Sequence, residues 1–235
     1  MEEGLARTRA ELNSRRRRRT PRIEGRPDRV ALWAVFLGLF ATIAGAASAD
    51  AASSGGIGDG TAVDPSMCQQ LELGQRPLKL GDCGTDVETL NWILKSKPVG
   101  VNVPLDQTFG QATDAAVRAF QEGAQLNPNG VVESSTRKAL KRSMKKGAAS
   151  WYGPGFFGNR TACGETLQRG TIGVAHRSLP CGTKIAFYAN GDYLRAEVID
   201  RGPFMKGVTW DLTQAAARAL GLEVTEKVRA AVVAE

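Results

Sequence analysis

ASWYG (149–153), IGVAH (172–176), KIAFYA (184–189), YLRAEVID (193–200) and GVTWDL (207–212) are short β-type runs separated by glycine- and proline-containing stretches. A single helical stretch follows them from Thr213 to Leu220. Thr213 is placed to cap its start, and Gly221 stands where a left-handed residue commonly ends a helix. Strands at this spacing predict a compact barrel over residues 147–235.

Upstream the periodicity changes. Val87, Leu90, Ile93 and Leu94 recur at three- and four-residue steps, which predicts a helix with Thr85 or Asp86 as its cap. A second helix carries Ala115, Ala116, Val117, Ala119 and Phe120. A third follows the turn Asn127-Pro128-Asn129-Gly130, begins near Ser134 to Thr136 and carries Leu140. The expected fold class is therefore multidomain, α then β: a small three-helix domain at 71–146, then the barrel, with Lys145-Lys146-Gly147 marking the boundary. Residues 50–70 are small, polar and glycine-rich and read as a flexible linker.

The amino end has a different chemistry. Residues 1–29 hold ten arginines, and the apolar run VALWAVFLGLFATIAGAASA (30–49) closes on the small-x-small triplet Ala47-Ser48-Ala49. A basic flank, an apolar run and such a triplet are the parts of an export signal over residues 1–49, with a membrane anchor as the other reading. Either way the remainder lies outside the cytoplasm, and the membrane is met only through this segment. Of 31 basic and 24 acidic residues, the first 49 take ten and five, leaving 21 and 19. A nearly neutral remainder argues against nucleic acid as a partner, because the basicity of such binders lies on the folded domain.

Four cysteines remain outside the leader: Cys68, Cys83, Cys163 and Cys181. Outside the cytoplasm an even count reads as disulfides, with three connectivities open. The local one, Cys68 with Cys83 and Cys163 with Cys181, is favoured. Neither pair has the short spacing of a thiolate zinc site. One histidine in the whole chain leaves few other metal ligands, and no glycine-rich segment runs into Lys-Ser/Thr, so neither a metal nor any other cofactor is expected.

LKLGDCGTDVETLNWIL (78–94) and DQTFGQATDAAVRAFQEGAQLNPNGVVESSTRKAL (106–140) together resemble the three-helix peptidoglycan-binding domain found beside wall-active enzymes. Further on, ASWYGPGFFGNRTACGETL (149–167), GVAHRSLPCGTKI (173–185), VIDRGPF (198–204) and WDLTQAAARALGL (210–222) stand in the order and register of the rare lipoprotein A family, the septal-ring lytic transglycosylases. That resemblance implies a six-stranded double-psi β-barrel. It also implies cleavage of the β-1,4 bond between N-acetylmuramic acid and N-acetylglucosamine with closure of a 1,6-anhydro ring, on peptidoglycan glycan strands as partner, by a monomer.

In principle this chemistry needs one carboxyl group, which first protonates the leaving oxygen and then removes the proton of the sugar's own 6-hydroxyl; a partly apolar cleft should raise its pKa. The resemblance carries that role to Asp200, at the end of an alternating run and before Arg201-Gly202-Pro203. It brings in Glu165 and His176 as further catalytic residues. Trp151 and Tyr152, with Phe156, Phe157 and Tyr188, are candidates for stacking on sugar faces, and Arg201 for fixing a sugar or a loop. Asp211 is expected to cap the following helix. The alternative reading is a non-lytic, expansin-like protein that binds and loosens wall polymer.

Overall fold

A computed structural model describes residues 68–233. The export segment and the greater part of the expected linker lie outside the described residues. Among the described residues, no helix is long and apolar enough to cross a membrane.

Three helices come first: α1 (Thr85–Lys95), α2 (Gln111–Gly123) and α3 (Ser134–Ser143). In α1 the periodic apolar residues Val87, Leu90, Ile93 and Leu94 are all buried, with Asp86 and Glu88 in the first turn and Lys95 in the last, the arrangement that suits the helix dipole. The expected cap is not used. Gly84 holds the cap position without a side-chain bond, because the Thr85 hydroxyl donates to Leu71 O and the Asp86 carboxylate, 1% exposed, is held by Arg76 Nε at 2.8 Å. Two buried amide side chains are matched too. Asn91 donates to the carbonyls of Asp106 and Thr108, and Gln121 to Val131 O and the Thr136 hydroxyl. The Cys68–Cys83 bond closes this unit, so residues 68–70, read from sequence as linker, belong to the folded part; Gln69 bridges Gly84.

Six strands then close a barrel in the order β1-β5-β2-β4-β3-β6: β1 (Lys145–Tyr152), β2 (Val174–Ala175), β3 (Lys184–Ala189), β4 (Asp192–Asp200), β5 (Trp210–Thr213) and β6 (Glu226–Val232). The β1–β5 and β2–β4 pairs are parallel and the others antiparallel. Between β5 and β6 the helix α4 (Gln214–Ala219) starts at Thr213, whose side chain accepts from Ala216 N, and ends near Gly221 at φ +64°. Phe187, Val198, Trp210, Leu212, Ala216 and Leu220 fill the barrel.

The two units share a core. Met144, 2% exposed, is the one residue between α3 and β1, and it packs in a cluster that joins Trp92, Ile93, Leu94 and Leu140 to the barrel residues Ala186, Ala231 and Val233. The expected boundary at 147 thus falls inside β1. Lys145, Lys146 and Gly147 pair with Ala230, Arg229 and Val228, and Gly147 lies close under Trp210: a Cβ there would stand 3.0 Å from the indole nitrogen. Arg195 crosses the seam to pair with Glu88 and to donate to Thr85 O.

Candidate active site

One row of residues runs across four neighbouring strands. The pairing sets Ser150 of β1 opposite Asp211 of β5, Asp211 opposite Ala175 of β2, and Ala175 opposite Asp200 of β4. Residues directly opposite one another share a face, so both carboxyls flank the small Ala175. Two strand spacings put their backbones roughly 10 Å apart. Asp200, Asp211 and Ala175 line a cavity of about 240 Å³, together with Tyr152, Thr161 and Arg201. Phe156 and Phe204, the latter 87% exposed, join Tyr152 in its aromatic lining.

Backbone groups fix the Asp200 carboxyl. Ala162 N and Arg201 N both donate to Oδ1 at 2.8 Å, leaving Oδ2 for the cavity. The loop that supplies Ala162 is held in turn by the Cys163–Cys181 bond, by Cys163 N donating to Ile199 O, and across the bond by Gly182 N donating to Val198 O. On the chain-entropy view a bond closing a loop of this size is worth about 3 kcal/mol. Here it also fastens two loops to the strand that carries Asp200.

Asp211 does not cap α4, since Thr213 does. Its Oδ1 accepts from the Ser150 hydroxyl at 2.7 Å, while burial, and after it the charge of Asp200, push its pKa up against the pull of that hydrogen bond. The folded value lies above the unfolded one, so ionising Asp211 works against folding. Asp211→Asn keeps an oxygen for Ser150 and should melt higher than wild type at neutral pH. That advantage should vanish below pH 3.8, the group's ordinary value, where both chains are neutral at this position. Thermal melts across pH check this, and an equal advantage at every pH would contradict it.

Two hydroxyls in the cavity wall, Tyr152 OH and Thr161 Oγ1, are buried and have no hydrogen-bond partner among the described residues. The Tyr152 pKa is raised far above its ordinary value, mainly by burial and then by Asp200, close enough to act on it but outside hydrogen-bond geometry. The phenol is therefore a donor at any working pH, and two orphan hydroxyls facing a polar cavity suit a ligand rich in oxygen.

The residues expected from the sequence divide into two groups. Asp200, Tyr152 and Arg201 meet at the cavity; Glu165, His176 and Trp151 do not line it. Arg201 turns much of its guanidinium toward the neighbouring loop, donating to Leu179 O and contacting Cys181 Sγ. Glu165 is exposed, and its carbonyl accepts from Thr161 N. Trp151 donates to Glu223 O and packs against the barrel core. Tyr188 lies at the seam with the helical unit, against Tyr193. Asp211, Thr161 and Phe204 are among the lining residues that the sequence motifs do not single out or assign elsewhere.

His176 is a turn residue in this geometry. Its Nδ1 accepts from Ser178 N and Leu179 N, its ring lies 4.8 Å from that of Trp210, and it meets Asp200 through its backbone, His176 N donating to Asp200 O. Burial, then Arg177 and Arg201, lower its pKa. An imidazole whose folded value lies below its unfolded one destabilises the native state as pH falls through 6.5. As the only histidine it can be followed without assignment, and its NMR titration should centre below 6.5; a midpoint at or above that value would contradict the geometry.

Two family models match successive parts of the chain. Residues 144–233 match the family model described as lytic transglycolase, and residues 83–140 match that for a peptidoglycan binding domain. A Synechocystis protein named probable endolytic peptidoglycan transglycosylase RlpA is 47% identical over 86 residues, 36% of this chain and 27% of that one. The endolytic peptidoglycan transglycosylase RlpA of Campylobacter jejuni is 42% identical over 73 residues, 30% of this chain and 26% of its own. The matched part thus spans about a quarter of each relative's length. Among solved structures, apo Clavibacter michiganensis expansin overlaps 39% of this chain and 51% of its own, at 24% identity and a TM-score of 0.34. The chain combines a helical domain of the peptidoglycan-binding type with a six-stranded barrel of the double-psi, RlpA-like type.

Proposed function

We propose that this chain is an exported lytic transglycosylase that cuts peptidoglycan glycan strands, with Asp200 as the reacting carboxyl. The observation that carries the reading is the position of Asp200: at the end of β4, its Oδ1 anchored by two backbone amides, on the wall of a cavity rimmed by aromatic side chains. The RlpA relatives and the lytic transglycolase match over residues 144–233 support it.

In the first step the protonated Asp200 carboxyl gives its proton to the glycosidic oxygen as the bond from C1 of N-acetylmuramic acid breaks. The 6-hydroxyl of the same sugar then bonds to C1, and the Asp200 carboxylate takes the hydroxyl proton. The acid is regenerated, no water enters, and the product ends in a 1,6-anhydro ring. The Tyr152 phenol donates to sugar oxygens and the Asp211 carboxyl binds beside it, while Phe156 and Phe204 offer faces for the apolar side of a pyranose. Glu165 and His176 act at one remove, by shaping the loops that deliver Ala162 and Arg201. Residues 1–49 take the chain out of the cytoplasm.

The test is the mass of the soluble fragments released from purified peptidoglycan. Products one water lighter than hydrolytic fragments establish the reaction. Products with free reducing ends overturn it in favour of a hydrolase, and co-sedimentation with the wall without any fragments overturns it in favour of an expansin-like binder.

A further inference from the structure

At the seam between the helical unit and the barrel lies a second cavity, of about 210 Å³. One turn of α3 supplies Arg137, Lys138 and Lys141, and the β3–β4 hairpin supplies Tyr188 and Tyr193; no carboxylate lines it. Arg137 is held in place by donating to Arg76 O and Val132 O. Lys141 Nζ stands 3.4 Å from the Tyr188 hydroxyl and 4.8 Å from the centre of its ring. Burial, and after it Tyr188, hold the Tyr193 phenol at about 12, so it stays a proton donor at any working pH. Every charged group lining this space is a cation, and the tyrosines add hydroxyl donors beside them.

From this we infer that the seam cavity binds a carboxylate on the peptide stems of peptidoglycan, an inference that rests on the wall-acting reading of the barrel. A small, half-open space where three cations meet two tyrosine rings and Leu73 suits one anionic group with an aliphatic body rather than a repeating phosphate chain. Its position fits a two-point grip. Tyr193 and Asp200 stand near opposite ends of β4, seven residues apart, which places the two cavities roughly 23 Å from each other. A stem held at the seam keeps the glycan close to the barrel cavity, raising its effective concentration there.

The experiment uses the full chain carrying Asp200→Asn, so that wall material stays intact, and measures co-sedimentation with peptidoglycan and with the same material after its peptides have been removed. Lys138→Glu with Lys141→Gln should weaken binding to intact peptidoglycan about tenfold. Lys138→Arg with Lys141→Arg should restore it, which separates charge from folding. On peptide-free glycan the parent chain should bind about tenfold more weakly and the Glu/Gln variant no worse than the parent. Equal binding of variant and parent to intact wall, or an undiminished difference on peptide-free glycan, overturns the inference. So does binding that is lost only when phosphate polymers are stripped. Failure of the transglycosylase reading would show separately, as missing anhydro products from the chain with Asp200 intact.

Discussion

Asp200→Asn should lower anhydro-product formation by about 10²–10⁴-fold, the usual worth of a positioned acid–base group. The fold should survive, because the amide oxygen of asparagine accepts from Ala162 N and Arg201 N as Oδ1 does. What is removed is the proton that the leaving oxygen needs and the base that takes it back. Asp211→Asn is the control with a different expectation. Asp211 shares the cavity and holds its proton more tightly than an ordinary aspartate, but its carboxyl is already engaged by Ser150, so its loss should cost about 10–100-fold. Initial rates of soluble fragment release, with melting curves to show that each variant is folded, decide between them. If Asp211→Asn is the more damaged, the donor is Asp211 and the assignment reverses. If Asp200→Asn keeps more than about a tenth of the rate, general catalysis at this position is wrong.

Local signals in the sequence carried the elements, and they carried the site only as far as one strand at a time. KIAFYA became β3 without a shift of either end, and the Thr213 cap and Gly221 stop bound α4 as local rules require. IGVAH, by contrast, contributes only Val174 and Ala175, and β6 gave no strand signal among the runs first picked out, because its partners β1 and β3 lie far away in sequence. Asp200 is legible only through the family resemblance, since an aspartate that ends an alternating run before Arg-Gly-Pro reads locally as a turn residue. Asp211 was read as a helix cap because sequence proximity to Thr213 is visible, whereas its register opposite Ala175 and Ser150 is set by strands 36 and 61 residues away. His176 and Glu165 stand with Asp200 in the motifs, and neither lines the cavity, although the charge of Glu165 reaches Tyr152. The boundary expected at 147 falls inside a strand for a similar reason. Lys-Lys-Gly looks like a loop locally, and only the pairing with β6 makes it a strand.

That shared seam leads to the other large expectation: the barrel alone, residues 145–235, should melt at least about 12 °C below a chain that keeps both units. Cutting before Lys145 uncovers Ala186, Ala231 and Val233, removes the cover from Tyr188 and Tyr193, and strips Arg195 of Glu88 and Arg229 of its acceptors in Lys141 and Met144. Re-exposing one valine-sized side chain costs about 1.5 kcal/mol or more, and the smaller and partly buried groups bring the total to roughly 3 kcal/mol. At about 4–8 °C per kcal/mol for a domain of this size, the shift reaches 12 °C or beyond. The chain with both units should melt in one transition, because a cluster running from Trp92 and Met144 to Val233 cannot open on one side only. Ala231→Asp in the intact chain tests the same point without truncation. A carboxylate buried in that cluster should lower a single transition by several kcal/mol rather than split it. Two separate transitions in the parent, or a barrel that melts alongside it, would mean that the helical unit is a tethered module after all. The seam cavity would then lack the fixed geometry that binding there requires.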